Sequence, residues 1–117
     1  AVTTDQRTKE GIELHAGTNH IGPFLLTNLL MEQIKKNKSR VVVVSSKAHE
    51  RADPRNLEKF VKFDQGSWNI ITNFAYNRSK LMNSYFAKEL YKRGVDVHVC
   101  CPGLCNTCEL KSLKSLL

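Results

Sequence analysis

The 117-residue sequence lacks any long apolar run. None approaches the about 20 residues that a membrane-spanning helix needs, and the first residues lack the basic-then-apolar pattern of a signal peptide. The chain has 6 glycines, and they form no glycine-rich turn of the kind that presents backbone N–H groups to a pyrophosphate. A complete dinucleotide site is therefore not expected within these residues.

The remaining composition is ordinary for a soluble globular protein, with 41% hydrophobic and 25% charged residues. The length predicts one domain, residues 1–117. The net charge of +7 is spread along the chain, and no aromatic residues alternate with the basic ones. Solvated helix faces explain this charge better than a nucleic-acid partner, which we do not expect. An anionic membrane surface or a phosphate partner is the alternative.

The cysteines are concentrated near the C-terminus, at Cys100, Cys101, Cys105 and Cys108. Their spacing is not the paired Cys-x-x-Cys repeat of a zinc ribbon, and adjacent cysteines in a strand point to opposite faces. We therefore predict buried structural thiols and no metal site, with a metal ion or a disulfide as the alternatives.

Residues 10–37 are predicted to form a long amphipathic helix, because apolar side chains recur there every three or four residues. This face consists of Leu25, Leu26, Leu29, Leu30 and Ile34. Pro23 lies inside the pattern, so a kink or break is expected near it. Arg40 to Ser46 follows as a strand, and its consecutive valines predict burial on both faces of a parallel sheet.

Residues 47–71 are polar and mixed, which predicts a long loop with a short helix near 56–62. The apolar pattern predicts another helix over 73–93, ended by Gly94, and a strand over 95–100. This order is typical of an α/β fold in which the two strands are parallel.

Ligand sites in parallel sheets lie beyond the carboxyl ends of the strands. Ser45 and Ser46 end the first strand, and residues 101–103 follow the second. Both segments are therefore expected at the same edge as Tyr76, which lies near the start of its helix.

Tyr76 and Lys80 are four residues apart, so they share one face of the predicted helix. A phenol is a poor proton donor or acceptor at neutral pH unless its anion is stabilised. An ammonium about 4 Å away at an effective dielectric of about 20 supplies roughly 4 kcal/mol. The pair therefore predicts an acid/base site.

With these residues identified, the chain resembles the short-chain dehydrogenase/reductase family, and most of all its retinol-dehydrogenase-like branch. The resemblance rests on the segments Gly17 to Leu30, Val44 to Ser46, Tyr76 to Leu81, and Pro102-Gly103 followed by Thr107. It implies an α/β fold that is the C-terminal half of a Rossmann-type doubly wound parallel sheet.

The resemblance also implies a catalytic tetrad. Asn19 would bend its helix and hold a water in a proton relay, and Ser46, rather than Ser45, would bond the substrate oxygen. Tyr76 would be the general acid/base. Lys80 would stabilise its anion and hold the nicotinamide ribose.

The cofactor implied is NADP, with NAD as the alternative. Its contacts would be Tyr76, Lys80, Pro102, Gly103 and Thr107. Simpler explanations remain for three of the implied residues. Asn19 could be a surface polar residue, Ser46 could cap or end a strand, and Thr107 could be an ordinary loop residue.

The implied substrate is a lipophilic alcohol or carbonyl compound, such as a retinoid or steroid. A homodimer is possible, and we expect an intracellular protein that is cytoplasmic or associated with the endoplasmic reticulum surface. Two departures from the family are visible. The interval from Ser46 to Tyr76 is long, and the front half with its glycine-rich turn is absent. We therefore expect a C-terminal portion of an enzyme, inactive by itself, with a non-catalytic binding or dimerisation fragment as the alternative.

Overall fold

The structure is a computed structural model that describes residues 6–55, 57, 74–103 and 105. Helices and strands alternate along the described residues, as the sequence predicts. In chain order the elements are α1 (Leu14–Ala16), a π-helix (Gly17–Ile21), α2 (Gly22–Leu29), α3 (Met31–Lys36), β1 (Val41–Val44), a 3₁₀-helix (Lys47–Arg51), α4 (Phe74–Lys92) and β2 (Val97–Cys100).

The first helical segment begins later than the sequence pattern predicts. Glu13 has extended backbone dihedrals, and its side chain accepts a hydrogen bond from the Ala16 N–H, so it is the N-cap of α1. Before it, Arg7 and Glu13 form an antiparallel bridge around a turn at Gly11, whose φ is +79°. The predicted start at residue 10 is therefore wrong, because residues 7–13 form a turn.

The irregularity expected near Pro23 lies immediately before it, in the π-helix. There the Gly22 N–H donates to the carbonyl of Gly17, five residues back. Proline has no N–H, so the carbonyl of Asn19 cannot receive the usual bond from the residue four ahead of it. A second interruption, at Leu30, was not predicted; it separates α2 from α3.

The two strands pair in parallel, as predicted, with Val41 opposite Val97 and Val44 opposite Cys100. Among the described residues, the sheet consists of these two strands. The predicted positions of α4 and β2 are also confirmed, and Gly94 follows α4 with a φ of +77°, a value that suits glycine.

One face of the sheet carries the core. Val43 packs there with Phe86 and Leu90 of α4, and residues of α3 lie against the same cluster. On the other face Val42 and Val44 are 56% and 50% exposed. The prediction that β1 is buried on both faces is therefore wrong for the described part of the chain, where helices pack against one face of the sheet.

The apolar face of α2 and α3 is also largely exposed. Leu25, Leu26, Leu29 and Leu30 are accessible, whereas Ile34 packs against the core. Among the described residues, no helix is both long and apolar enough to cross a membrane. The helix predicted near 56–62 lies outside the described residues, apart from Leu57.

Candidate functional site

The candidate site lies at the carboxyl edge of the sheet, where the first turns of α4 cross the end of β1. The ammonium of Lys80 donates a hydrogen bond of 3.2 Å to the carbonyl oxygen of Val44, the last residue of β1. The segments that follow the strands also meet here, because the Lys47 N–H donates to Cys101 Sγ at 3.1 Å. The predicted convergence at this edge is therefore present.

Tyr76 and Lys80 lie on the same face of α4. Lys80 Nζ is 5.6 Å from the centroid of the Tyr76 ring, within the range of a cation–π contact. Burial lowers the pKa of the Lys80 ammonium, and the nearby Cys100 thiol partly offsets this effect. The pair thus places a partly desolvated cation against the phenol.

Asn19 is brought to the same helix although it lies far away in sequence. Its Nδ2 donates a hydrogen bond of 3.0 Å to Oγ of Ser79, which in turn donates to the Tyr76 carbonyl at 2.7 Å. Asn19 is half-buried, so the surface alternative does not apply. Ser79 has no solvent exposure and was missed by sequence reasoning, although it lies three residues after Tyr76.

The two serines after β1 have different roles. Ser45 is buried, and its hydroxyl donates to the Lys80 carbonyl at 2.9 Å. Ser46 is half-buried, and its Oγ accepts a hydrogen bond from the Ala48 N–H at 3.3 Å. Ser46 therefore does cap the 3₁₀-helix. That role uses an oxygen lone pair and leaves the hydroxyl proton available to a substrate.

The Val44 carbonyl accepts a second hydrogen bond, from Asn83, and this bond sets the orientation of the Asn83 amide towards His20. Asn83 Nδ2 donates to the carbonyl at 3.2 Å, so Asn83 Oδ1 faces His20 Nδ1 at 3.1 Å. An amide oxygen can only accept, so His20 carries its proton on Nδ1. Burial lowers the pKa of His20, and the hydrogen bond to Asn83 partly offsets this. Sequence reasoning missed both residues.

A buried hydrogen-bonded pair, Glu13 and His15, lies beside Tyr76. Glu13 Oε1 and His15 Nδ1 are 2.7 Å apart, and the His15 ring contacts the Tyr76 ring edge-on, with centroids 6.0 Å apart. These residues were missed because they fall within the predicted helix 10–37, where a capping residue was not expected.

The predicted cofactor contacts are described in part. Pro102 and Gly103 are exposed just beyond β2, and Gly103 has a φ of +71°. Thr107 lies outside the described residues. Lys80, Pro102 and Gly103 lie at the carboxyl edge of the sheet, where nucleotides bind in α/β folds.

The cysteines differ from the prediction of buried structural thiols. Cys100, Cys101 and Cys105 are free and exposed, so that prediction is wrong for these three. Cys108 lies outside the described residues. Within the described ranges, no group of His, Cys, Asp or Glu side chains could hold a metal ion.

Comparison with known proteins adds independent information. The chain is 41% identical over 110 residues to retinol dehydrogenase 14 of Homo sapiens, an alignment that covers 86% of this chain and 30% of that protein. It is 40% identical over 118 residues to retinol dehydrogenase 12 of Homo sapiens, which covers 95% and 35%. The same coverage, at 39% identity, holds for retinol dehydrogenase 11 of Mus musculus. The chain spans about a third of the length of these curated relatives.

A solved structure is also similar. The crystal structure of an uncharacterized protein from Mycobacterium paratuberculosis matches with a TM-score of 0.63 and 32% identity. The match covers 92% of this chain and 40% of that one. No protein-family model matches the chain.

Proposed function

Because the chain is homologous to the retinol dehydrogenases, which are short-chain dehydrogenases/reductases, we propose that the protein is an NAD(P)-dependent oxidoreductase. Its substrate would be a lipophilic, retinoid- or steroid-like alcohol, which it interconverts with the aldehyde or ketone. We further propose that β1 and β2 are two strands of a doubly wound Rossmann-type sheet. NADP is the favoured cofactor and NAD the alternative.

The observation that carries this proposal is the arrangement of Lys80 between the Tyr76 ring and the Val44 carbonyl. The carbonyl holds the ammonium at the carboxyl edge, where nucleotide and substrate bind in α/β sheets. There the ammonium lies against the ring of Tyr76, the residue that we propose as the acid/base group for the alcohol.

The reaction then divides its roles among residues of this chain. In oxidation Tyr76 takes the hydroxyl proton of the alcohol, and in reduction it returns a proton to the carbonyl oxygen. Ser46 donates its hydroxyl proton in a hydrogen bond to the same oxygen. A nicotinamide bound at this edge would supply the hydride chemistry, as hydride acceptor in oxidation and hydride donor in reduction.

Asn19 and Lys80 support these steps. Asn19 is bonded to Ser79, and Ser79 to the backbone of Tyr76, so Asn19 and Tyr76 are linked through Ser79. Lys80, Pro102 and Gly103 would hold the nicotinamide ribose and ring, and Thr107 would complete that set.

Replacing Tyr76 by Phe in the full-length protein tests this proposal. The variant removes the phenolic oxygen and keeps the ring, so turnover should fall by about 10²–10⁴-fold while cofactor affinity changes little. Tyr91→Phe, an exposed position on the same helix, is the matched control and should keep full activity. Retention of more than a few per cent of the rate in Tyr76→Phe would contradict the assignment.

Lys80→Met tests both proposed roles of the lysine. It is expected to weaken both cofactor binding and turnover, because we propose that the ammonium contacts the nicotinamide ribose and it lies against the Tyr76 ring. A variant that binds cofactor normally and turns over normally would remove Lys80 from the site.

A non-catalytic binding or dimerisation role is the second candidate, and the exposed apolar surface favours it. The three leucines of α2 and the following Leu30 are accessible, Leu29 to 73%. Beside them α2 and α4 border an open apolar recess of about 330 Å³, whose lining includes Phe24, Met82 and Phe86. Surfaces of this kind commonly mark interfaces.

Size-exclusion chromatography of residues 1–117 tests that candidate. A binding fragment should elute as a dimer or larger species, and Leu25→Glu with Leu29→Glu should shift it towards the monomer. A compact, soluble monomer of the unmodified chain would count against this role. For the whole protein we propose a location in the cytoplasm or at the endoplasmic reticulum surface.

A further inference from the structure

The carboxylate of Glu13 and the imidazole of His15 form a buried hydrogen-bonded pair that the proposed reaction does not use. Glu13 is 5% exposed and His15 is 6% exposed, and Oε1 of Glu13 lies 2.7 Å from Nδ1 of His15. The second carboxylate oxygen accepts the Ala16 N–H at 2.7 Å. Both oxygens are therefore committed, which holds the carboxylate and hence the imidazole in one orientation.

The carboxylate is charged in this setting. Burial raises the pKa of Glu13, but hydrogen bonds from the His15 side chain and from the N–H groups of His15 and Ala16 outweigh it and hold the pKa below its usual value. A charged acceptor requires a proton on Nδ1 of His15. The tautomer of the ring is thus set by Glu13.

The imidazole ring of His15 contacts the ring of Tyr76. The two rings meet at 76° with centroids 6.0 Å apart, an edge-to-face geometry typical of stabilising ring pairs. Lys80 contacts the same phenol ring. The Tyr76 ring is therefore contacted by an imidazole on α1 and by an ammonium on its own helix.

Helix capping alone does not account for this arrangement. A carboxylate that accepts one backbone N–H is sufficient for an N-cap, and Ser, Thr or Asn perform that role without a buried imidazole. Burying a polar ring carries a desolvation cost that the cap does not require.

We propose that Glu13 and His15 are a positioning pair for Tyr76, which fixes the phenol ring so that its hydroxyl stays directed at the reacting oxygen. This inference rests on the proposed oxidoreductase function. Glu13 acts through His15, and His15 acts through the Tyr76 ring, so neither is a catalytic residue. The contribution expected is geometric, because small misplacements of a reacting group lower rates strongly.

Variants of the full-length protein test the pair through kcat and KM measured separately. His15→Ala removes both the ring contact and the bond to Glu13, and it should lower kcat about 10-fold or more with both KM values within about twofold. His15→Phe restores a ring edge without the bond, so it should recover part of the loss. Glu13→Gln keeps one acceptor oxygen and should resemble His15→Phe.

His98→Ala is the matched control, because His98 is also paired with a carboxylate, Asp96 at 3.2 Å, but on an exposed surface. It should leave kcat unchanged. A merely structural pair would lower the thermal midpoint while kcat per folded molecule stayed at the wild-type value, and that result would overturn the inference. So would a change confined to KM.

The assay also separates this inference from the proposed function. An inactive Tyr76→Phe together with a normal His15→Ala overturns the positioning role alone. An active Tyr76→Phe overturns the proposed function. If His15→Ala does not fold, the milder His15→Phe and Glu13→Gln decide the matter, because wild-type kcat in both would overturn the inference.

Discussion

Asn19 and Ser79 lie 60 residues apart in sequence and are joined by a hydrogen bond of 3.0 Å from Nδ2 to Oγ. Ser79 in turn donates a hydrogen bond to the Tyr76 carbonyl. The π-helix that contains Asn19 is thereby held against the first turn of α4. π-Bulges are frequent at functional sites, and this one lies beside the proposed acid/base residue.

The Asn19–Ser79 bond should appear as a coupling energy in a double-mutant cycle. Asn19→Ala and Ser79→Ala each break it, so the double variant should cost about 1 kcal/mol less free energy of unfolding than the sum of the single variants. Urea unfolding of the full-length protein measures this. Thr18→Ala, at an exposed neighbouring position, should be additive with Ser79→Ala. Additivity of the Asn19 and Ser79 variants would contradict the bond.

His20 should make stability depend on pH. Its pKa is lowered from 6.5 in the folded state because burial disfavours the imidazolium. As pH falls, the unfolded state therefore takes up the proton first. The stability contributed by neutral His20 is complete above 6.5 and is lost as pH falls from that value through the lower folded-state pKa.

Comparing the unfolding free energy of wild type with His20→Gln across this range isolates the effect. The difference between the two proteins should shrink or reverse towards acid. His98→Gln, the same replacement at an exposed position, is the control for the substitution itself. Parallel pH curves for wild type and His20→Gln would contradict the prediction.

The exposed thiols should react without unfolding. Cys100, Cys101 and Cys105 are accessible in the structure, so a thiol reagent such as DTNB should modify all three in native buffer. Single Cys→Ser variants assign the signals, and each should remove one equivalent. Reaction only after denaturation would restore the interpretation of these residues as buried structural thiols.

Residues 1–117 by themselves should bind NADPH more weakly than in the micromolar range. The sequence has no glycine-rich turn to bind the pyrophosphate. Each loss of about 1.4 kcal/mol of binding free energy lowers the affinity tenfold. Titration by calorimetry or fluorescence measures this, with Lys80→Met as the control for residual ribose contacts. Micromolar binding would contradict our account of the cofactor site.

Local patterns in the sequence were sufficient for most of the described elements. The three- and four-residue apolar spacing after residue 73, with Gly94 as its stop, predicted α4; the run of valines predicted β1, and the alternating valines after Gly94 predicted β2. The parallel pairing followed from their order. The helices and strands themselves depend on neighbours within a few residues, and that information is present in the sequence.

The tetrad candidates could also be named from sequence, because their residue types and spacing resemble a known family. The side chains that hold these candidates in place could not be named from the sequence. The bonds from Asn19 to Ser79 and from His20 to Asn83 join α4 to residues 60 and 63 positions away. No local pattern specifies which distant side chain will be the partner.

Burial shows the same division. The sequence determined which residues are apolar, and thus that Val42, Val44, the leucines of α2 and Leu30 are suited to a covered surface. Only the tertiary structure decided which of them are covered. Val43 faces α4 and is buried, whereas its neighbours on the opposite face of the strand are exposed, because burial depends on what packs against a face as well as on the residue itself.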